Sequence, residues 1–156
     1  WPEGFDAAPR LWEALAEADI IKLCRSEADF LIRRAGHHDA MLQRLWQGHA
    51  RLVLITDGAR PVRWFTRSMQ GQAPAFKVSA VDTTAAGDAF VAGLLLRVVE
   101  RGVSADNFDA FIADEPAVSE ALRHAAAAGA LAATKHGAFA AMPTRDDIQT
   151  LLRSDA

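Results

Sequence analysis

The chain has 156 residues, of which 51% are hydrophobic and 24% charged, and its formal net charge is −3. This composition is that of a globular domain and excludes disordered, collagen-like and disulfide-rich classes of protein. The weak negative charge excludes the basic footprint of a nucleic-acid-binding domain. A single cysteine, Cys24, favours a reducing, cytoplasmic compartment. No apolar run approaches the roughly 20 residues that a membrane span requires.

The first 56 residues alternate between helical and strand patterns. Apolar spacing predicts a helix over 9–18, and a short apolar run predicts a strand over 19–24. Ser26 is predicted to cap a second helix that Gly36 ends. A second buried strand follows over 52–56. Because a helical stretch separates two short apolar runs, the pattern indicates a β-α-β unit with parallel strands.

The middle of the chain predicts a hairpin, and the last third is helical. Strands are expected over 62–67 and 74–81, around a polar turn at Gly71. Residues 86–99 are apolar on nearly every helical face, which predicts a central, buried helix. An alanine-rich helix is expected over 117–134, and a capping-box pattern at Thr144-Arg145-Asp146-Asp147 predicts the start of a last amphipathic helix. Together these patterns indicate a three-layer α/β domain.

The segment Asp82-Thr83-Thr84-Ala85-Ala86-Gly87-Asp88 carries the pattern most closely tied to chemistry. It opens the predicted helix over 86–99, and its small residues allow a ligand to approach the backbone. The first N–H groups of a helix have no internal acceptor, so they favour an anion such as phosphate. Asp88 then either accepts a proton from an attacking hydroxyl or is simply a favourable acid in the first turn. The residues themselves leave both interpretations open.

The same segment resembles D-T-x-G-A-G-D, the signature of ribokinase-like sugar kinases of the phosphofructokinase-B type, with Ala85 in place of the usual glycine. Further segments follow in the order expected of that family. These are Ala18-Asp19-Ile20-Ile21-Lys22 followed by Glu27, then Thr56-Asp57-Gly58-Ala59, and finally residues 128–143, which resemble the closing stretch. The resemblance covers nearly the whole chain but only the carboxyl-terminal half of the family's fold.

The resemblance implies a three-layer αβα, Rossmann-like ribokinase fold with a mostly parallel sheet, a hairpin and helices on both faces. Residues 1–156 would form the nucleotide-binding and catalytic carboxyl-terminal half, without the amino-terminal half that holds the sugar and the lid. The start at Trp1-Pro2, without an initiator Met, agrees with a part of a longer polypeptide. The implied assembly is a homodimer formed through the lid, with no nucleic-acid or membrane partner.

The activity that the resemblance implies is ATP-dependent phosphorylation of a sugar hydroxyl. Asp88 would be the general base, and the backbone N–H groups of Ala85, Ala86, Gly87 and Asp88 would form the anion hole for the transferred phosphoryl group. Fructose is the first expectation for the sugar. Ribokinase and 2-keto-3-deoxygluconate kinase activities are the alternatives.

The resemblance also implies the remaining ligand contacts. The residues expected to line the ATP site are Thr56, Gly58, Ala59, Ala126, Ala127 and Gly129. Glu27 would orient Mg²⁺ through water, since Mg²⁺ keeps much of its hydration shell. Asp82, Thr84 and Gly137 match the places that hold a monovalent cation such as K⁺ in the family.

Two other classes of function stay open at this point. A nucleotide-binding pseudokinase or sugar sensor is favoured by Cys24 and Ala126, which stand where relatives often carry polar residues. The retained Asp88 favours an enzyme instead. A dinucleotide-binding module unrelated to kinases would have a G-x-G-x-x-G turn after the first strand, and the sequence contains none.

Overall fold

The structure is a computed structural model that describes residues 6–154, so Trp1-Pro2 lies outside the described residues. In chain order the elements are α1 (Ala8–Ala16), β1 (Ile20–Cys24), α2 (Arg25–Ala35), α3 (His38–Leu45), β2 (Leu52–Asp57), β3 (Arg60–Phe65), β4 (Gln70–Ala73), α4 (Ala86–Glu100), α5 (Phe108–Ala113), α6 (Glu115–Ala133), a 3-10 turn (Phe139–Ala141) and α7 (Arg145–Ser154). Within residues 6–154, no helix has the length and apolar character needed to cross a membrane.

The strands form one four-stranded sheet in the order β1-β2-β3-β4. β1 and β2 are parallel, with Ile20 opposite Leu52 and Cys24 opposite Thr56, and α2 and α3 connect them. This arrangement confirms the predicted β-α-β unit. β2 and β3 are joined by only two residues, which is too short for a parallel crossover, so these strands form a hairpin.

The predicted strand over 74–81 is wrong. The chain turns between Thr66 and Met69, and the strand that follows is β4, which ends before Pro74. The hydroxyl of Thr66 accepts a hydrogen bond from Met69 N at 2.9 Å and so supplies the bonds of the turn. Pro74 has no N–H to donate to a ladder, which ends the strand. Gly71 therefore lies within β4, where a Cβ would come within 2.5 Å of the Trp64 ring.

The described chain divides into two compact units. The first comprises the chain up to Thr56 together with Arg63–Gly71, and the second comprises Asp57–Val62 and the chain from Gln72 onward. In the first unit, α1, α2 and α3 share one apolar core with β1 and β2. Its buried residues include Trp12, Ile21, Leu31, Met41, Leu45, Val53 and Ile55.

The start of α2 differs from the prediction that Ser26 caps this helix. Cys24 is the N-cap residue, and its N–H donates to the carboxylate of Glu27 at 2.6 Å. Because β1 runs directly into α2, the cap position falls on the last residue of the strand. Gly36 ends the helix as predicted, with a φ of 101° and its N–H bonded to Ile32 O at 2.8 Å.

In the second unit, α4 and α6 pack at close range through small residues. A Cβ on Gly93 would lie 2.8 Å from Ala128 Cβ, and the buried ring of His124 lies with Nδ1 3.2 Å from Gly93 O. Glu120 of α6 accepts hydrogen bonds from Arg97 and Arg101 of α4 at 2.8 and 3.0 Å. The two helices are thus fixed to one another by close backbone packing and by ion pairs.

The prediction that the helix over 86–99 is buried on nearly every face is wrong. α4 buries Ala89, Phe90, Leu94 and Val98, but residues on its opposite side are exposed. Hydrophobic periodicity reports which residues are apolar and not what covers them, so the sequence could not show this difference. At the end of the chain, α7 begins with the predicted reciprocal cap between Thr144 and Asp147.

Candidate functional site

The loop that precedes α4 is held at the start of the sequence motif by hydrogen bonds to the end of α6 and to the loop after it. Val81 N and Asp82 N both donate to Ala133 O, at 2.8 and 3.2 Å, where α6 ends. The carboxylate of Asp82 accepts hydrogen bonds from Thr84 N at 3.0 Å, from Thr84 Oγ1 at 2.6 Å and from Gly137 N at 3.0 Å. One side chain therefore joins the loop before α4 to the loop that follows α6.

These hydrogen bonds stabilise the ionised form of the Asp82 carboxyl. Donation from the Thr84 hydroxyl, together with the N–H groups of Thr84 and Gly137, lowers the pKa of Asp82 from 3.8 to about 2. The three residues that the sequence suggested for a monovalent cation are thus brought together in one cluster. Their carbonyl oxygens are hard ligands of the kind that such a cation prefers.

The first turn of α4 leaves backbone N–H groups ahead of the helix's own ladder of hydrogen bonds. Ala86 N donates to Thr83 O at 3.2 Å, and the first bond from residue i to i−4 runs from Ala89 N to Ala85 O at 2.9 Å. The N–H groups of Gly87 and Asp88 precede that bond, so they suit an anion. Of the four N–H groups predicted for the anion hole, that of Ala86 thus already takes part in the turn.

Asp88 is exposed in this first turn, on the same helix end as these N–H groups. A carboxylate there is favoured by the positive end of the helix dipole. Its side chain is open to a substrate, because it is not part of the Asp82 cluster. A carboxylate beside unpaired N–H groups can accept a proton next to a bound anion, and phosphoryl transfer to a hydroxyl uses both capacities.

The alanine-rich helix α6 packs closely against the first turn of α4. A Cβ on Gly129 would lie 2.9 Å from Ala86 O, so the glycine permits a close approach of the two backbones. Ala127 is fully buried, with 0% of its surface exposed, and Ala126 is 7% exposed. Ala127 therefore offers no surface for a nucleotide, and Gly129 has a packing role.

In the first unit, the carboxyl ends of the parallel strands bring Cys24 and Thr56 into register. Thr56 is half-buried, and its hydroxyl donates to Leu23 O at 3.4 Å. Glu27 lies one helical turn further along. Partial burial of its carboxyl raises the pKa, but hydrogen bonds from Cys24 and the positive charge of Lys22 lower it by more, so the pKa of Glu27 is below its ordinary value. Ligands of open α/β sheets bind beyond this edge of the strands.

Gly58 and Ala59 form the two-residue turn between β2 and β3, and both are exposed. Gly58 has a φ of 56°, which is in the left-handed region that favours glycine. Arg60 Nη1 lies 3.3 Å from Asp57 Oδ2 across the base of this turn. The turn is thus a short, well-defined loop with an accessible backbone.

A cleft of about 470 Å³ also lies in the first unit, between α1, β1 and α2. Its lining is mainly apolar and includes Leu11, Leu15, Leu23, Phe30 and Leu31, with Lys22 and Glu27 also contributing.

The metal-binding capacity of the described residues is limited. Residues 6–154 contain no group of three or more His, Cys, Asp or Glu side chains placed to hold a metal ion. Glu27 is exposed, and one of its carboxylate oxygens is bonded to Cys24 N. A single carboxylate fits the water-mediated contact that Mg²⁺ commonly makes in proteins.

One contact of this site, between the loop before α4 and the last carbonyl of α6, could not be predicted from the sequence. Ala133 O accepts from both Val81 and Asp82, and no residue pattern marks a helix-end carbonyl as an acceptor for a distant loop. The general signal is that the last carbonyls of every helix need partners from elsewhere.

Comparison with known families identifies the family to which this chain belongs. Residues 1–145 match the family model described as pfkB family carbohydrate kinase. The chain belongs to the pfkB family of carbohydrate kinases. This confirms the resemblance found in the motif around Asp82–Asp88 and in the segments that flank it.

Relatives of this pfkB family chain include plant and bacterial kinases. It is 34% identical to fructokinase-1 of Oryza sativa subsp. japonica over 154 residues, covering 99% of this chain and 46% of that protein. The crystal structure of a fructokinase with bound ATP from Xylella fastidiosa superposes with a TM-score of 0.96 at 42% identity, over 99% of this chain and 48% of that one.

A double-mutant fructokinase from Vibrio cholerae O395, in a form bound to fructose, ADP and potassium ion, gives a TM-score of 0.78 at 29% identity, over 97% of this chain and 46% of that one. These likenesses confirm the predicted ribokinase-like α/β fold. The chain spans about half the length of the relatives it matches.

Proposed function

We propose that this chain is the nucleotide-binding and catalytic half of an ATP-dependent sugar kinase, with residues 1–156 forming its carboxyl-terminal part and fructose as its substrate. The observation that carries the proposal is the first turn of α4, where the exposed carboxylate of Asp88 lies at the same helix end as the N–H groups of Gly87 and Asp88. Membership of the pfkB family and the identity to fructokinases support it.

In the proposed reaction, the carboxylate of Asp88 accepts the proton of a sugar hydroxyl as that oxygen attacks the γ-phosphorus of ATP. The bond to the β–γ bridging oxygen breaks, and ADP leaves with its electron pair. Backbone N–H groups at 85–88, chiefly those of Gly87 and Asp88, stabilise the charge on the transferred group. Positioning and electrostatics carry the rate, because the protein forms no covalent intermediate in this scheme.

The nucleotide contacts belong to the same proposal. Thr56, Gly58, Ala59 and Ala126 would contact ATP, whereas the full burial of Ala127 leaves it out. Glu27 would hold Mg²⁺ through water, and Mg²⁺ when bound neutralises phosphate charge. The Xylella fastidiosa fructokinase with bound ATP supports the choice of nucleotide.

The cluster of Asp82, Thr84 and Gly137 would hold a monovalent cation through carbonyl oxygens, and K⁺ is the choice that the potassium-bound fructokinase from Vibrio cholerae supports. Its fructose-bound form also supports the sugar. Ribose and 2-keto-3-deoxygluconate are the alternative sugars. A cytoplasmic location and a homodimer formed through a lid outside this chain complete the proposal.

The deciding experiment measures coupled ADP release by the natural full-length polypeptide, with fructose, ribose and 2-keto-3-deoxygluconate in parallel. Asp88→Asn keeps the shape of the side chain and removes the proton acceptor, so turnover should fall by about 10²- to 10⁴-fold. Asp106→Asn is the matched control, because Asp106 is an exposed acid in the loop before α5.

Turnover that survives Asp88→Asn at the level of the control would refute the assigned base. ATP binding without turnover on any sugar would support the sensor alternative instead. Turnover on ribose alone would keep the mechanism and replace the substrate.

A further inference from the structure

Two adjacent histidines stand at the start of α3 and have no role in the proposed reaction. His37 is the N-cap residue of this helix and has an extended backbone, and His38 is the first helical residue. Further along α3, Met41 and Leu45 are buried in the apolar core of the first unit. A loss of order at the start of α3 would therefore loosen a helix that supplies two core residues.

The cap of α3 requires the neutral form of His37. Its Nδ1 accepts a hydrogen bond from Ala40 N at 3.2 Å. Because a backbone N–H can only donate, Nδ1 must carry a lone pair, and the proton of the neutral ring is on Nε2. An imidazolium has a proton on both nitrogens, and its charge is also unfavourable at the positive end of the helix dipole. A proton taken up at Nδ1 therefore removes the cap.

The ring of His38 is placed so that a charged form would lack a partner. Its centroid lies 5.1 Å from that of Phe65, and Nε2 is buried without a hydrogen-bond partner among residues 6–154. Nδ1 lies 3.3 Å from a carboxylate oxygen of Asp39, so it can donate to that carboxylate. In the imidazolium, Nε2 would become a buried donor that has no acceptor. Protonation of His38 therefore favours a position of the ring in water, away from Phe65.

The charges around the start of α3 are mainly positive. The charged side chains of its first turn and of the neighbouring α2 and β3 are Asp39, Arg33 and Arg34 of α2, and Arg63 of β3, whose guanidinium lies 5.8 Å from the Phe65 ring. Asp39 is 85% exposed, so water screens its attraction for a cation, and Arg34 is paired with Asp6. On α1, the Trp12 ring lies 4.3 Å from Arg44, at the other end of α3. These groups give little compensation for a proton on either histidine.

We propose that His37 and His38 form a pH-sensitive cap of α3. The cap is closed while both imidazoles are neutral, and it opens as the pH falls through the range between about 8 and 5, in which histidine changes its charge. The sign follows from Nδ1 of His37, because the bond from Ala40 N is complete with a neutral ring and is lost with a protonated one. The result is a local opening of the first turn of α3 at acid pH.

The first experiment measures amide hydrogen exchange in the natural full-length polypeptide at about pH 7.5 and about pH 5.5. The protection factor compares the observed exchange rate with the intrinsic rate at each pH, so it reports the opening of the helix itself. At the amide of Ala40 it should fall by about fivefold on acidification, which corresponds to the loss of an N-cap.

Two substitutions and a matched control assign this effect. His37→Asn supplies a favourable cap that does not titrate, so it should remove most of the pH dependence. Adding His38→Phe, which keeps an aromatic ring against Phe65, should remove the remainder. His49→Asn is the control, because His49 is exposed in the segment between α3 and β2, and it should leave the dependence as in the parent.

A second measurement needs no variant and so does not depend on how the variants fold. In polypeptide labelled with nitrogen-15 histidine, correlation spectra of the imidazoles distinguish a ring nitrogen that carries a proton from one that does not. Nδ1 of His37 should lack a proton at about pH 7.5 and gain it over the interval in which protection at Ala40 falls.

Equal protection at Ala40 at the two pH values in the parent would overturn the proposal, as would a dependence that the double variant keeps in full or that His49→Asn abolishes. A neutral His37 with its proton on Nδ1 would also overturn it, because that tautomer cannot accept from Ala40 N. Neither ATP nor sugar enters these measurements, so their outcome is independent of the proposed activity.

Discussion

Asp82 stabilises the candidate site through one carboxylate with three donors. Thr84 supplies two of them from within the loop, and Gly137 supplies the third from 55 residues further along the chain. Gly137 has a φ of 89°, a left-handed conformation that directs its N–H toward Asp82 at little steric cost because the residue is glycine. The shape of the anion site therefore depends on a residue that need not touch the substrate.

We expect Asp82→Asn to destabilise the chain in a pH-dependent way. The pKa of Asp82 is lowered in the folded state from 3.8 to about 2, so its stabilising effect is complete above pH 3.8 and is lost as the pH falls through about 2. Urea unfolding at several pH values should show a parent–variant difference that is constant near neutrality and shrinks between about pH 4 and pH 2. A difference that stays constant across that interval would contradict the assignment.

At the scale of elements, α4 and α6 behave as one packed pair. Small residues on α6 allow the backbones to approach, and Gly93 and Gly129 stand where any side chain would collide. At Gly93 the colliding atom is Ala128 Cβ, which is tied directly to the α6 backbone and has no rotamer with which to move aside. The contact between α4 and α6 thus depends on the absence of side-chain atoms at Gly93 and Gly129 and not on one strong bond.

Gly93→Ala is expected to destabilise the chain, although alanine is the better helix former by about 1 kcal/mol. The new methyl group would lie 2.8 Å from Ala128 Cβ, and overpacking of this kind costs about 1–3 kcal/mol. Thermal or urea unfolding of the single variants and of Gly93→Ala with Ala128→Gly gives a double-mutant cycle. The double variant should be more stable than the sum of the single changes predicts, and strict additivity would show that the two positions do not meet.

Local patterns were predictable from the sequence, and contacts between distant segments were not. The reciprocal cap of Thr144 and Asp147 follows from residues three apart, and the β-α-β unit follows from two apolar runs around a helix. The strand expected over 74–81 was wrong. Apolar residues there suggested a strand, but the turn between Thr66 and Met69 places the last strand at Gln70–Ala73, and Pro74 ends that strand.

Within the candidate site, the motif predicted the helix start and the place of Asp88 because both are properties of contiguous residues. It did not predict the bond from Gly137 to Asp82, nor the use of Ala86 N in the turn with Thr83, because these depend on the path of the backbone. The full burial of Ala127 was equally beyond a sequence in which neighbouring alanines look alike.

At the scale of the whole molecule, the chain has its own buried cores but only about half the length of its relatives. In the proposed reaction, the candidate site supplies a proton acceptor and an anion site. The sugar must be held and shielded from water for phosphoryl transfer to a hydroxyl to compete with hydrolysis. Catalysis therefore needs more surface than the described residues enclose.

We expect the 156-residue chain on its own to bind ATP without phosphorylating sugar. Binding to the folded state alone would raise its unfolding midpoint, by an amount that corresponds to about 2.7 kcal/mol at a ligand concentration 100 times Kd. Differential scanning fluorimetry with ATP and Mg²⁺ measures the first effect, and coupled ADP release with fructose measures the second. Sugar phosphorylation by the isolated chain would show that the second half is dispensable.

The close packing of α4 against α6 also limits how the sequence of this protein can change over generations. Because Gly93 leaves no room for a Cβ beside the Cβ of Ala128 and the Cα of Ala125, exchanges there are confined to the smallest side chains, and each enlargement needs a matching reduction on the other helix. Residues of exposed loops such as Asp106 carry no such coupling and can be replaced one at a time. A library of single substitutions should therefore show low tolerance at Gly93, Ala125 and Ala128, where the size of the side chain and not its polarity limits the replacement.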